Sequence, residues 1–344
     1  MYKFIESFEL AGTVQDLEDR GWSEGLVDPG IKQVITGGGK GGGSCLRMVG
    51  DIDVCMGVGM EYHPYVTVSF WRKLGEVGEP LKASQLLTTT NSTMGWDYGG
   101  NLNANMNISC SEYGQIYIGF GVFGGYGGAS LNGFVKQGVW QYFEVEFSPT
   151  SCSVYVDRKL AVTGTGYEAG QDGTSVVLTG DFNSVNYYSD FVIQADHTQQ
   201  PPIMGRKRHR VRALLPTGDV AQRYAVGGYL DVDDPFGSSD KSMTNIYLAY
   251  DGATAEVVTE DLPAVSAVHA VQTTLDAVAA DTARTAAKNY IITDGATSAG
   301  VAKKLSIVWY SVQKHIWEDS PKTGAAWTVP EVNNLTLGVE REDW

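Results

Sequence analysis

A chain of 344 residues is long enough for two domains, each able to bury its own core. With 43% hydrophobic and 19% charged residues it is ordinary globular material rather than a disordered chain, and a net charge of −15 argues against nucleic acid or an anionic membrane as the partner of most of its surface. The acidity is uneven: residues 1–200 hold 11 Lys and Arg against 22 Asp and Glu, and residues 201–344 hold 14 against 18.

The first residues, Met-Tyr-Lys-Phe-Ile-Glu-Ser-Phe, contain no apolar run of signal-peptide length, and no stretch approaches the roughly 20 apolar residues of a membrane span. Synthesis and folding in a cytoplasm are therefore expected. On that expectation Cys45, Cys55, Cys110 and Cys152, which show no metal-like spacing, read as buried free thiols rather than disulfides. The sequons at Asn91, Asn107 and Asn334 then carry no meaning.

From residue 3 to about 200 the pattern is one strand after another. The first is Phe4–Phe8, followed by a glycine-rich stretch, Gly37 to Gly43, that leads into Cys45-Leu-Arg-Met. Val66, Val68 and Phe70 alternate with Thr67, Ser69 and Trp71; Ile116, Ile118, Phe120 and Val122 share one face; Phe143, Val145 and Phe147 lie opposite Tyr142, Glu144 and Glu146. Val154 and Val156 continue the series, and each run has period two between Gly, Asn or Pro. About a dozen such strands without a long helix suit a two-sheet jelly-roll sandwich.

A boundary is expected at Gln199-Gln-Pro-Pro202, giving domains 1–202 and 203–344. Beyond it Arg206 to Arg212 reads as a strand running into a turn, and strands are expected at Asn245–Tyr250, Ala264–Thr274, Asn289–Ile292 and Leu305–Tyr310. The Ala-rich Leu275–Ala287 fits helix or strand, with the alternation before it favouring strand. Near the end, Thr328 and Glu331 form a capping box with Pro330 in the first turn, ahead of a closing strand. A second, smaller β-sandwich with a short C-terminal helix fits this half.

Several motifs look chemical and fail on context. Gly119-Phe-Gly121-Val-Phe-Gly124 matches the dinucleotide fingerprint as a string, but Gly-Tyr-Gly-Gly-Ala-Ser after it will not open a helix. Gly37 to Ser44 lacks the Gly-Lys-Ser/Thr of a phosphate loop and reads as a glycine loop between strands. Glu144 and Glu146, at i and i+2 on a strand, put two carboxylates on one face roughly 6–7 Å apart, a separation glycoside hydrolysis can use. Jelly-roll glycosidases of the laminarinase type carry Glu-x-Asp-x-x-Glu; here the middle acid is Glu146, and Pro149 stands where the third acid belongs. A solvated acidic face is the expectation, and no catalytic residue is assigned.

Asp231-Val-Asp-Asp-Pro235 starts like a calcium loop, but Pro235 replaces a ligand and no Glu closes it. Asp51–Asp53 and Asp181–Asn183 leave room for structural calcium; otherwise no cofactor or metal is expected. The five histidines (His63, His197, His209, His269, His315) show no paired spacing, and His269 reads as part of a strand. Arg206, Arg208, Arg210 and Arg212 would share one side of a strand and repel unless acid faces them. They are the candidate interface, with three partners open: the acidic first domain of the same chain, an acidic neighbouring subunit, or nucleic acid.

Two resemblances add identity. The order of features over residues 1 to about 200 resembles a concanavalin A-like, laminin-G-type jelly roll. Residues 211–340 are similar to the C-terminal part of a family of tailed-phage virion proteins: Val211-Arg-Ala-Leu-Leu-Pro-Thr-Gly-Asp219, the Asp231–Phe236 loop, Asp261-Leu-Pro-Ala-Val-Ser-Ala-Val268, and Trp317-Glu-x-x-Pro-x-Thr-Gly-Ala-Ala-Trp327-Thr-x-x-Glu-Val-Asn-x-Leu. The run of basic residues before Val211 departs from that pattern. The resemblance implies a non-enzymatic, head-decorating or tail-associated virion component, present as a homo-oligomer or symmetric array among other virion proteins. A carbohydrate-binding adhesin for host-surface glycans is the alternative, and a glycoside hydrolase on the same fold a third reading.

Overall fold

The computed structural model describes the chain except residues 10, 25–31, 50–54, 91–103, 121–124, 166–173, 181–184, 202–209, 229, 231–245, 281–284, 308–310 and 344. It is nearly all β, and it divides into two compact units, the first made of Met1–Glu9 and Thr13–Val211 and the second mainly of Arg212–Trp344. The expected boundary at 202/203 thus lies inside the first unit.

In chain order the first unit contains β1 (Tyr2–Glu6), α1 (Val14–Asp19), β2 (Ser23–Glu24), β3 (Lys32–Ile35), β4 (Cys45–Met48), β5 (Cys55–Met60), β6 (Tyr65–Leu74) and β7 (Ser84–Thr90). There follow β8 (Ala104–Cys110), β9 (Ile116–Phe120), β10 (Gly125–Ala129), β11 (Gln141–Phe147), β12 (Ser151–Val156), β13 (Lys159–Thr165), β14 (Thr174–Thr179) and β15 (Asn186–Asp196). They form an eight-stranded sheet in the order β13-β12-β11-β6-β15-β4-β3, with β1 also on β15, and a seven-stranded sheet in the order β10-β9-β8-β7-β14-β5-β2. All named pairings are antiparallel, as period-two strands with short connections require. This is the two-sheet jelly roll.

Register fixes the core. Phe143 lies opposite Phe70, and Val145 opposite Val68 and Val154, so these side chains form one inner face. Phe70 and Phe143 stack with ring centroids 5.7 Å apart, and Phe4, Trp22 and Phe191 form an edge-to-face cluster beside them. Ile108, Ile116, Ile118, Val176 and Leu178 are the buried counterparts on the seven-stranded sheet. The sheets are also tied by polar groups: Arg72 on β6 donates to Ser84 on β7 (2.9 Å), and Tyr188 Oη on β15 donates to Thr179 O on β14 (2.9 Å). At one edge, β10 and β13 approach so closely that a Cβ on Gly128 or Gly164 would come within 3.0 Å of the facing backbone oxygen.

A short helix absent from the sequence expectation precedes β2. Its signal is present: Thr13-Val-Gln-Asp16 is a capping box, with Thr13 Oγ1 accepting from Asp16 N (3.2 Å) and Asp16 Oδ2 from Thr13 N (2.7 Å). After it, Arg20 pairs with Glu6 on β1 at 3.1 Å, both almost fully buried.

The second unit contains β16 (Pro216–Arg223), β17 (Ala225–Val226), β18 (Tyr247–Leu248), β19 (Thr254–Thr259), β20 (Val271–Ala277), β21 (Thr285–Thr293), β22 (Ala296–Ala299), β23 (Lys303–Lys304), β24 (Ser311–Trp317), α2 (Val329–Asn333) and β25 (Thr336–Asp343). Its six-stranded sheet runs β16-β19-β25-β21-β22 with β23 on β21, and β20 pairs with β24 in a separate ribbon. Ile291, Trp317, Trp327, Val332 and Leu335 form its core, with Leu214, Leu262, Val268, Val271 and Leu337 packed against them.

Several expectations shift here. Leu275–Ala287 is strand at both described ends, not helix. The strand expected from Ala264 starts only at Val271, which leaves His269 outside it, and Leu305–Ile307 lies in a connection between β23 and β24. In the first case Val268 packs on the core from non-strand backbone, whereas in the second Ile307 is exposed.

The capping box at α2 is present in full: Thr328 Oγ1 accepts from Glu331 N, and Glu331 Oε2 accepts from Thr328 N (2.9 Å). β25 then enters the middle of the sheet, between β19 and β21. The C-terminal segment is thus the closing, central part of this unit.

Candidate functional site

The candidate arginines are best understood from β15. A register shift between Ser189 and Val192 bulges this strand, and Asp190 sits there with φ +52°. The bulge turns the Asp190 carboxylate toward the chain leaving the jelly roll. Val211 N donates to its Oδ1 at 2.7 Å, Arg210 Nε lies 2.9 Å from Oδ2, and Ser189 Oγ donates to Oδ2 at 3.0 Å. Burial pushes the Asp190 carboxyl above the usual Asp range, against the opposing pull of Arg210 and the Val211 amide.

The glycine loop between β3 and β4 closes around the same guanidinium. A Cβ on Gly41 (φ +70°) would stand 2.4 Å from Arg210 Nη1, and one on Gly43 2.6 Å from Glu9 Oε1. Gly39 has the stricter reason: its Cβ would meet Ser44 O at 2.3 Å, a backbone contact that cannot yield. Gly41 thus leaves room for the arginine, and Gly39 for the loop's own backbone. On the same loop, Lys40 Nζ lies over the Trp71 ring at 5.0 Å.

The structure does not assemble the four arginines on one strand. Arg206 and Arg208 lie outside the described residues, residues 210–215 are not strand, and β16 begins at Pro216. Arg210 is taken up by the first unit's own Asp190, and Arg212 is exposed at the start of the second unit. Within this non-strand stretch the Val211 amide is satisfied by the Asp190 side chain.

Glu144 and Glu146 do share a face of β11, opposite Ser69 and Thr67 on β6. That face is not a solvated acidic surface. Glu144 is only 3% exposed, Trp71 and Tyr142 pack beside it with ring centroids 5.5 Å apart, and Gln200 folds over β6 to donate to Val66 O (3.2 Å) and Thr67 Oγ1 (2.9 Å). A glycan could not reach Glu144 without opening that layer.

The opposite sheet offers a different surface. On β8 and β9 the inner residues Ile108, Cys110, Ile116 and Ile118 are buried, which turns Asn107, Ser109, Tyr117 and Gly119 outward. Asn107 lies opposite Gly119 and Ser109 opposite Tyr117. Tyr117 Oη donates to Gln115 Oε1, and Gln115 Nε2 donates to Ser130 O at 2.6 Å, which holds ring and amide in fixed orientation. At the turn beyond, Tyr113 is 65% exposed. Amide, hydroxyl and half-exposed aromatic groups thus lie together on a sheet face.

The sequence also missed a histidine contact. His63, before β6, and His197, after β15, bring their rings to 4.3 Å between centroids, although they lie far apart in the chain. His315 packs on Trp317 at the same spacing. Cys45, Cys110 and Cys152 are free and buried, as expected, and burial pushes the Cys45 thiol up to about 12. The side chain of Cys55, residues 51–53, 181–183 and 231–236, and His209 lie outside the described residues. Gly119 lies in β9, and the next described element is β10, its antiparallel partner, rather than a helix. Among the described residues no group of three or more His, Cys, Asp or Glu is placed to hold a metal ion, and no helix is long and apolar enough to cross a membrane.

No protein-family model matches the chain, and no curated protein matches it. Similar solved structures include the T. cruzi calreticulin globular domain (TM-score 0.40, 12% identity, 57% of this chain and 89% of that one), the cellulose-induced protein Cip1 (0.41, 13%, 56% and 98%) and the Emp46p carbohydrate recognition domain (0.40, 10%, 56% and 98%). At these scores they carry no argument about ligand or activity; the jelly-roll architecture rests on the strand order and pairing of the chain itself.

Proposed function

We propose that this chain is a non-enzymatic component of a tailed-phage virion, head-decorating or tail-associated, that acts by assembling with other virion proteins. The observation that carries this reading is the C-terminal wording from Trp317 to Val339, together with what it builds. Its tryptophans, capping box and closing strand belong to the core and the central sheet position of the second unit, so the wording falls on residues that build that unit. The burial of Glu144 supports binding over hydrolysis, since a carboxylate under a packed layer cannot act on an incoming sugar. The test is quantitative mass spectrometry of purified particles. Many copies per particle are expected, and particles lacking the chain would sink the reading.

A second reading, carbohydrate binding by the jelly roll, is favoured by the outer face of β8 and β9. Sugars are recognised by aromatic faces and by amide and hydroxyl groups held in place, and Asn107, Ser109, Gln115 and Tyr117 supply these on one surface. A virion component could present this face to host-surface glycans. On a glycan array, Tyr117→Ala is expected to lose at least about tenfold in affinity, the equivalent of about 1.4 kcal/mol. Unchanged glycan binding in this variant, or no binding by the wild type, would remove the reading and leave the assembly role.

A further inference from the structure

We propose that the His63–His197 pair is an acid-sensitive fastening of the jelly roll, whose protonation loosens the junction of β1, the β5–β6 loop and the end of β15. The pair sits where these three segments meet. Ala195 N at the end of β15 donates to Met1 O (3.0 Å), and Tyr2 and Phe4 pair with Gln194 and Ile193. His63 is 4% exposed, and its Nδ1 is buried with no hydrogen-bond partner among the described residues. The exposed His197 ring lies against it at 4.3 Å.

An imidazolium at His63 would carry two N–H donors, one of them buried without an acceptor, against a second imidazole. The charged groups around it are Lys3 on β1, Glu61 on the β5–β6 loop, and Asp196 at the end of β15. The two carboxylates favour the cation; burial, Lys3 and His197 oppose it and prevail, holding His63 below its ordinary 6.5. Asp196 is a weak counter-ion because its Oδ1 already accepts from Thr198 N (2.8 Å), Thr198 Oγ1 (2.9 Å) and Gln199 N (3.3 Å).

The sign follows from linkage. Between the folded-state value and 6.5 the unfolded chain binds more protons than the folded one. The contribution of the neutral pair is therefore complete above 6.5 and declines as the pH falls below it.

The test uses the full chain at pH 7.5 and 5.0, as wild type, His63→Gln and His197→Gln. The wild-type melting temperature is expected to fall by at least about 3 °C more than that of either variant, a shift of the size expected for roughly 1 kcal/mol in a domain this large. Amide exchange in Tyr2–Glu6, corrected for the intrinsic rate, should rise at pH 5.0 in the wild type alone. If His63→Gln does not fold, the exposed His197→Gln decides: the His63 midpoint, read by NMR, should rise toward 6.5. Equal acid loss in wild type and variants, or a wild-type His63 midpoint at or above 6.5, would overturn the proposal.

Discussion

The Asp190 carboxylate sits almost out of solvent, and its donors belong to the chain that leaves the jelly roll and to Ser189 beside it. An isolated carboxylate is costly to bury, and removing one partner of a buried pair leaves that cost uncompensated. Arg210→Met should therefore destabilise the first unit by about 1–3 kcal/mol, less than breaking a fully buried pair because Arg210 keeps some solvent contact. The deficit should also depend on pH. Asp190 already titrates above 3.8, and without the guanidinium it would titrate higher still. The variant's disadvantage should then be largest at neutral pH and shrink in acid, where the folded chain takes up the proton. Urea unfolding at pH 7.5 and pH 4.5 measures this, and a deficit that grows in acid would refute it. None of this could be read from the arginine run, because the sequence gives no sign that a bulge in β15 aims a carboxylate at residue 210.

Strands were the most legible elements. Period two in Val66–Phe70 and Phe143–Phe147 matches the paired inner faces of β6 and β11, since alternation records which face is dry. It failed where apolar residues pack from irregular backbone, as at Val268, and it could not show that the polar face of β11 is covered. The capping box at Thr328 was legible because it is a local contact; here Glu331 also accepts from Ser320 Oγ (2.7 Å). Those hydrogen bonds, from Thr328 first, hold the Glu331 carboxyl below its ordinary 4.5, so its contribution is present above that value and lost as acid protonates it. Thr328→Ala should cost about 1 kcal/mol, measured by thermal melting, and no change would show that the cap is idle. In β25 a different constraint rules. Tyr290 lies across Gly338 so closely that a Cβ there would come within 2.1 Å of the ring, and Tyr290 Oη donates to Glu256 at 2.8 Å on the far side. Gly338→Val should therefore destabilise the second unit by about 1–3 kcal/mol or more, through overpacking. Proteolysis of the variant would report it, and native resistance would contradict the close packing.

At the scale of the whole molecule, two β units carry different kinds of information. The jelly roll shows its architecture in patterning and hides its chemistry: the glycine run before β4 forms a loop, and Glu144 lies under a packed layer. The candidate glycan face could not be chosen from sequence, because Asn107 and Tyr117 become neighbours only through the β8–β9 register. The histidine pair was invisible for the same reason, joining residues far apart in the chain. The second unit is the reverse case. Its wording suggests an identity, and the structure gives that wording a physical role, with Trp327 Nε1 bonded to Trp317 O at 3.1 Å and Asn333 Oδ1 accepting from Leu262 N at 2.8 Å. The central claim is that this folded pair is built into a particle. Cryo-electron microscopy of purified virions tests it most directly: density for both units at symmetry-related positions is expected, and a particle fully accounted for without this chain would contradict the account.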